Sequence, residues 1–304
     1  MANRLLYADE LASEWMDYQM LRYKHPEKFA LKRTGLKQLD LILEGGIELG
    51  QYVLIGGAQK SGKSTMILKV AKAFGEQLVN SVIFSAEMTN MQLGTMLFST
   101  ISGVERSKIR KLGLEIADWA KLESATGEIG QLTIAFDYGF SSVKDITKII
   151  PEIEAKIKMP VHAVFGDYIH LMEDPDSRGS RQDEIASISR SLKRMALNSK
   201  FGGIEHDPMA VIFAAQLNRE AVRGHLIQAT SFLGSGQLER DMDIGLIIHE
   251  VEDEVSKRPL PNIRKITVVG SRETPVGECE VMYNGSTATL SDKVTVLTKE
   301  RYWE

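Results

Sequence analysis

Gly57-Ala58-Gln59-Lys60-Ser61-Gly62-Lys63-Ser64 meets every fixed position of the pattern G-x-x-x-x-G-K-[ST]. The residue types suit the holding of phosphate. Glycines let backbone N–H groups curl into an anion-binding concavity at a helix N-terminus. Lys63 is placed to reach β- and γ-phosphates, the Ser64 hydroxyl to ligate Mg2+, and Thr65 continues the same turn. The flanks agree. Tyr52-Val53-Leu54-Ile55 is an apolar run of buried-strand type, and Met66 to Phe74 is amphipathic at helical spacing. A chance Gly/Ser/Lys-rich turn would carry neither flank. Residues 57–65 are therefore the expected nucleotide-binding segment, with ATP and Mg2+ as its ligands.

Outward from this loop, strand and helix patterns alternate. Strands are expected at 52–56, 81–86, 131–135, 162–167, 210–215, 244–250, 264–269, 278–283 and 293–298. Helices are expected at 64–76, 90–101, 115–124, 142–157 and 183–200. Runs such as Ser81-Val82-Ile83-Phe84 and Ala163-Val164-Phe165 are apolar throughout, as strands buried on both faces are. The class this implies is α/β, a mostly parallel sheet flanked by helices. The last strands are closely spaced and broken by turn residues (Gly270, Gly277, Asn284-Gly285), which implies an antiparallel meander at the sheet edge. Residues 5–24 place Leu5, Ala8, Leu11, Trp15, Tyr18 and Leu21 at steps of three and four, and Pro26 ends the pattern. Such a helix needs a partner surface, on its own domain or on a neighbouring subunit. The organisation expected is a docking segment, 1–30, and one motor-sized domain, 31–304.

Composition narrows the classes. A chain of 304 residues with 43% hydrophobic and 26% charged residues is ordinary for a globular protein with a large core. The net charge of −4 advertises no global nucleic-acid field, although a local basic channel needs none. One cysteine, Cys279, precludes an intramolecular disulfide and suits a reducing cytoplasm. Early acidic residues argue against a secretory signal, and no apolar run is long enough to span a membrane.

A nucleotide hydrolase also needs a group for the metal shell and one for the attacking water. Asp167 ends an apolar strand and suits the first role better than that of a turn or cap residue. Glu87 ends the strand after the loop's helix, where a carboxylate would lie beside the γ-phosphate; the plainer reading is a cap for the next helix. Gln216 ends a third strand, where a neutral amide can sense the γ-phosphate. Arg272, after a late strand, is a candidate arginine finger for a neighbour's nucleotide, though most arginines are solvated surface groups. The six histidines and Cys279 lack metal-ligand spacing.

Taken in order, these pieces resemble the ATPase domain of DnaB-type replicative helicases, hexameric motors with a RecA-like P-loop NTPase fold. The resemblance spans about residues 30–290. It rests on Thr34-Gly35-Leu36 running to Gly45-Gly46 and Gly50, Phe84-Ser85-Ala86-Glu87-Met88 with Gln92-Leu93, and Asp167-Tyr168-Ile169-His170-Leu171-Met172. It continues through Ile185 to Lys193, Gln216-Leu217-Asn218-Arg219, and Gly234-Ser235-Gly236-Gln237-Leu238-Glu239-Arg240-Asp241. Two departures stand out. Gly270-Ser271-Arg272 replaces the family's Lys-x-Arg, and Leu233 stands where an arginine often precedes the DNA-binding glycines. Arg223 and Arg178 are candidates to supply the missing charge. The N-terminus carries only a helix like the family's linker, as a truncation or a compact, phage-encoded relative would.

The resemblance implies an ATP-driven DNA helicase for replication, a homo-oligomeric ring, expected to be a hexamer, moving on single-stranded DNA. The role assignments are Lys63, Glu87, Gln216 and Arg272 in catalysis, Ser64 and Asp167 at the metal, and Arg178, Arg223, Gly234, Ser235 and Gly236 on DNA. Primase or a loader is an implied partner, with the cytoplasm of a bacterium or phage-infected host as the setting. The alternatives are a RadA-like recombinase, which shares the opening segment, and a KaiC-like regulatory ATPase that does not use DNA.

Overall fold

The computed structural model describes residues 7–197, 200–201, 204–205, 208–218, 227–253, 256, 258–272 and 274–293. The chain opens with α1 (Ala8–Lys24), α2 (Pro26–Phe29) and α3 (Lys37–Ile42). β1 (Tyr52–Gly57) leads into α4 (Lys63–Glu76), followed by β2 (Ser81–Ser85), α5 (Asn90–Ser102), α6 (Arg106–Arg110) and α7 (Ile116–Ile129). β3 (Ile134–Tyr138), α8 (Val143–Ile157) and β4 (Ala163–Asp167) come next, and a single 3-10 turn at Ile169–Leu171 precedes α9 (Arg181–Leu197). A short pair, β5 (Lys200–Phe201) and β6 (Ile204–Glu205), precedes β7 (Ala210–Gln216) and α10 (Ser235–Asp241). The chain then runs back and forth through β8 (Ile244–Glu252), β9 (Pro259–Ser271), β10 (Gly277–Asn284) and β11 (Thr289–Asp292).

Among the described residues, nine strands form one sheet in the order β11-β10-β9-β8-β1-β7-β4-β2-β3. Pairings from β8 across to β3 are parallel, and β8 through β11 pair antiparallel. β1 has parallel partners on both sides, so its backbone groups are satisfied by the ladder and all six of its residues are buried. Successive side chains of a strand point to opposite faces. Val53 and Ile55 pack with Met66, Val70 and Phe74 of α4 on one face, while Tyr52 and Leu54 pack with Ile188, Leu192 and Met195 of α9 on the other.

Register then does the positioning. Gly57 pairs with Gln216 and Ser85 with Asp167, so the carboxyl ends of β1, β7, β2 and β4 lie along one edge of the sheet. In parallel α/β sheets that edge is where ligands bind.

Some element boundaries differ from those expected. Residues 131–133 belong to the turn after α7, which runs on to Ile129, so the strand expected at 131–135 is Ile134–Tyr138. The last strand among the described residues is Thr289–Asp292, set by pairing with Val281–Asn284; of the expected 293–298, residues 294–298 lie outside the described residues. The helix expected at 183–200 runs from Arg181 to Leu197, and Lys200 pairs with Glu205 instead. The short helices α3, α6 and α10 carry too few turns for periodicity to reveal them. Among the described residues no helix is long and apolar enough to cross a membrane.

At the opposite edge, Asp243 is 8% exposed and ties three elements together. It accepts from Lys193 Nζ on α9 (2.6 and 2.5 Å) and from the Tyr52 N–H that starts β1 (2.7 Å). Replacing it strands a buried ammonium and a buried N–H. Asp243→Ala is expected to lower stability by about 3–5 kcal/mol in urea denaturation, and a loss below about 1 kcal/mol would mean the pair is effectively solvated.

Candidate nucleotide site

The loop between β1 and α4 is built by steric exclusion. A Cβ on Gly57 would stand 2.2 Å from Ser61 Oγ and 2.8 Å from the Ile248 carbonyl. Gly62, the residue before α4, adopts φ 112°, a left-handed value that side chains disfavour. The chain therefore turns tightly and directs the first amides of α4 into the concavity. Lys63 is held at its mouth, donating to the carbonyls of Gly57 and Ala58 at 2.9 Å each. Burial pushes its ammonium below the usual range, with the carboxylates of Asp167 and Glu87 opposing.

A cleft of about 850 Å3 opens over this loop. The structure brings Lys63, Ser64, Thr65, Asp167, Glu87 and Gln216 to its walls, although they come from four different strand ends. Asp167 is 3% exposed, and burial raises its pKa above the carboxylate norm, opposed first by the Ser64 hydroxyl, while Glu87 adds to the rise and Lys63 lowers it. Its Oδ2 has no hydrogen-bond partner among the described residues. A buried, unpartnered carboxylate oxygen beside a serine hydroxyl fits a hard divalent cation such as Mg2+. Glu87 is exposed on the turn that follows β2. That turn is fixed by the Met88 N–H donating to Ser85 Oγ (2.8 Å), and Thr89, not Glu87, caps α5.

Other cleft residues have no role assigned from the sequence. Tyr168 and Arg106 line it, with Arg106 Nη2 donating to the Gly285 carbonyl at 2.6 Å. Tyr283 of β10 sits beside Gly62, with the Arg264 guanidinium 4.5 Å from its ring centroid. Arg264, 5% exposed, also donates to the Ser61 carbonyl (3.2 Å), so β9 and β10 clamp the phosphate loop from the side. The only signal of this was the closely spaced edge strands themselves, because contact across an antiparallel edge leaves no local pattern.

The remaining predicted residues lie elsewhere. Arg272 follows β9, next to the start of β8, and is bonded to the Arg240 carbonyl (2.6 Å) with Asp243 at 3.7 Å. Ser271 pairs with Ile244, which pairs with Val53, and Gly57 lies further along β1. At a rise of about 3.3 Å per residue this sets Arg272 roughly 13 Å or more from its own phosphate loop. Gly270 has Met242 Cε 3.1 Å from where a Cβ would lie. Gly234 precedes α10 in a left-handed conformation (φ 78°), with Ser235 and Gly236 opening a helix of only 7 residues. Leu233 beside it is exposed. Arg178 is exposed in the turn before α9, away from the cleft lining. Arg223 lies outside the described residues.

A phosphate loop, a strand-end aspartate, a glutamate and a glutamine on one edge of a parallel sheet define a P-loop nucleotide site on a RecA-like fold. A model of the DnaB-like helicase C-terminal domain matches residues 32–292. The chain belongs to that family. It is 25% identical over 267 residues to the replicative DNA helicase DnaB of Treponema pallidum (strain Nichols), covering 87% of this chain and 57% of the relative. It is 26% identical over 271 residues to DnaB of Leifsonia xyli subsp. xyli (strain CTCB07), covering 86% and 56%. The chain thus spans a little over half the length of these curated relatives. Among solved structures, one ATPase domain aligns with a TM-score of 0.79 at 24% identity, covering 93% of this chain and 99% of that one. A DnaB-like replicative helicase, solved with its interactions with primase, aligns at 0.77 and 22% identity, covering 96% and 68%. The recombinase and regulatory-ATPase alternatives gain no support from these matches.

Lys63→Ala removes the cation that the loop holds over its own carbonyls. The expected result is that ATP no longer raises the melting temperature of the variant as it does that of the wild type. An undiminished shift would remove Lys63 from phosphate binding.

Proposed function

We propose that this chain is the ATP-hydrolysing motor domain of a ring helicase that moves along single-stranded DNA during replication. The observation that carries the reading is the division of the site. Lys63, Ser64, Asp167, Glu87 and Gln216 meet at one edge of the sheet, while Arg272 stands at the other. An arginine so placed acts on nucleotide only if another subunit brings it there.

In this reading the loop amides and Lys63 hold the β- and γ-phosphates. Ser64 and Asp167 hold Mg2+, which when bound neutralises charge between the two phosphates. Glu87 takes a proton from the attacking water, and Gln216 reports on the γ-phosphate. Arg272 from the adjacent subunit stabilises the transition state, and Gly234, Ser235 and Gly236, with Arg178 and Arg223 as candidate charges, face the DNA backbone. Binding of that kind is salt-sensitive and largely indifferent to sequence.

α1 supports assembly into a ring. None of its residues is buried, and Leu11, Trp15, Met16 and Leu21 stay about half exposed while Tyr18 reaches Phe29 edge-on. Residues 1–30 act as a linker that docks on the next subunit in a homo-oligomer, expected to be a hexamer, with residues 31–304 as the motor. Primase is the partner suggested by the relative studied with it, and the bacterial or phage-infected cytoplasm is the setting such a motor implies.

Strand displacement on a forked DNA with a 5′ tail, with ATP and Mg2+, tests the reading. Wild-type protein is expected to unwind it. Glu87→Gln is expected to bind ATP but to lose about 10²–10⁴-fold in turnover, and unwinding with it. Robust ATP turnover that is indifferent to single-stranded DNA would overturn the helicase reading in favour of a regulatory ATPase.

Arg272→Ala is expected to leave ATP binding intact and cut turnover by roughly 10³-fold or more. Mixing it with Lys63→Ala subunits is expected to restore part of the activity, because some interfaces then pair an intact loop with an intact arginine. No recovery in mixed rings would argue against action between subunits.

A further inference from the structure

His170 sits on the single turn after β4, half-buried, and uses both ring nitrogens. The backbone N–H of Gln216 donates to its Nδ1 (3.3 Å), and its Nε2 contacts the Leu233 carbonyl (3.0 Å). A carbonyl only accepts and a backbone N–H only donates. The partners therefore fix the neutral ring with its proton on Nε2. Burial, together with the positive charges of Arg181 and Lys63, lowers its pKa against the pull of the Leu233 carbonyl, which favours that neutral form.

The third side of the figure is backbone. The Leu233 N–H donates to the Gln216 carbonyl at 2.8 Å. Gln216, Leu233 and His170 thus form a closed ring of three hydrogen bonds in which each member both donates and accepts. The ladder continues outward, with Leu217 bridging Phe232 and the Asn218 N–H donating to the Ser231 carbonyl (2.8 Å). The turn that carries His170 is itself held. Arg181, the first residue of α9, donates to the carbonyls of His170 (2.6 Å) and Met172 (2.9 Å). Gln216 faces the cleft, and Leu233 immediately precedes Gly234 at the start of α10.

We infer that His170 is a positioning residue that ties the nucleotide-facing end of β7 and the segment entering α10, already paired with each other by backbone, to the turn after Asp167, so that the three move together and a shift at Gln216 is carried to residues 233–236. This rests on the reading that Gln216 faces a γ-phosphate and that Gly234, Ser235 and Gly236 face DNA. Without the imidazole, one backbone hydrogen bond of the ring remains and both segments separate from the turn after Asp167. The link is a discrete, two-ended hydrogen-bonded contact between elements, the kind of contact through which two sites bias one another.

The test uses the full chain with ATP and a single-stranded oligo(dT). In His170→Leu, ATP is expected to raise the melting temperature as in wild type and the KM for ATP to hold. The ratio of turnover with oligo(dT) to turnover without it is expected to fall at least about fivefold, the lower end of ordinary coupling between sites. As a separate binding readout, the ratio of oligo(dT) affinities between protein bound to a non-hydrolysable ATP analogue and to ADP is expected to move toward one. His170→Asn, whose shorter amide reaches one partner only, is expected to lose the ratio too and serves if the leucine variant does not fold. His170→Gln is expected to restore it, since an amide oxygen accepts and the adjacent NH2 donates at similar separation. A wild-type ratio in the leucine or asparagine variant, or an equal loss in the glutamine variant, overturns the inference alone. Wild-type protein that ignores oligo(dT) overturns the helicase reading and this inference together.

Discussion

Gly57 has no space for a side chain, and the rest of the site depends on that. A Cβ there would overlap Ser61 Oγ and the Ile248 carbonyl, at 2.2 and 2.8 Å. The phosphate loop can therefore lie directly on the end of β1 and against β8 only because position 57 is glycine. β1 in turn is fixed by parallel ladders on both sides and by side chains buried on both faces. A strand held this way cannot slip by one residue without exchanging Val53 and Ile55 for Tyr52 and Leu54 between two different cores. The position of Lys63 thus follows from packing that begins at the start of β1.

The same burial that fixes the loop sets its chemistry. It raises the pKa of Asp167 and lowers that of Lys63, so both groups are pushed toward their neutral forms, and each opposes the shift of the other. The Asp167 Oδ2, which has no partner among the described residues, and the Lys63 ammonium turned onto its own loop's carbonyls suit a metal cation and a polyphosphate by their chemistry.

The parallel part of the sheet was legible in the sequence because each of its signals is local. The glycine pattern at 57–64, the apolar runs at 52–56 and 163–167, and polar residues closing them locate Lys63, Asp167 and Gln216 before any tertiary contact is known. Glu87 was legible in type, and the alternative of a helix cap is removed by Thr89 taking that position. What stayed hidden is long-range. Arg264 and Tyr283 reach the phosphate loop only because β9 and β10 pair antiparallel and fold their edge over it, with 203 residues between Arg264 and the Ser61 carbonyl it binds. The bounds of β3 were misplaced because the turn beside it competes with strand propensity, and pairing with β2 decides the boundary.

His170 belongs to the same hidden class, and for a clear reason. In the sequence it is one of six histidines without ligand spacing, and that observation speaks only to metals. Its use is defined by the carbonyl of Leu233 and the amide of Gln216, which are 63 and 46 residues away. Backbone groups have no signature in a sequence, so a side chain whose partners are backbone is invisible until the fold places them. The strand ends facing the cleft are held from below by side-chain packing. The segment leading to α10 is held by both means: Phe232 is fully buried in the core, while Leu233 beside it is exposed and held by hydrogen bonds. Contacts of the first kind resist displacement, while hydrogen bonds at a partly solvated edge open at far lower cost. The geometry thus sets an exposed, hydrogen-bonded position beside a buried anchor, and the imidazole ties that position to the turn that follows Asp167 while backbone pairing ties it to the end of β7.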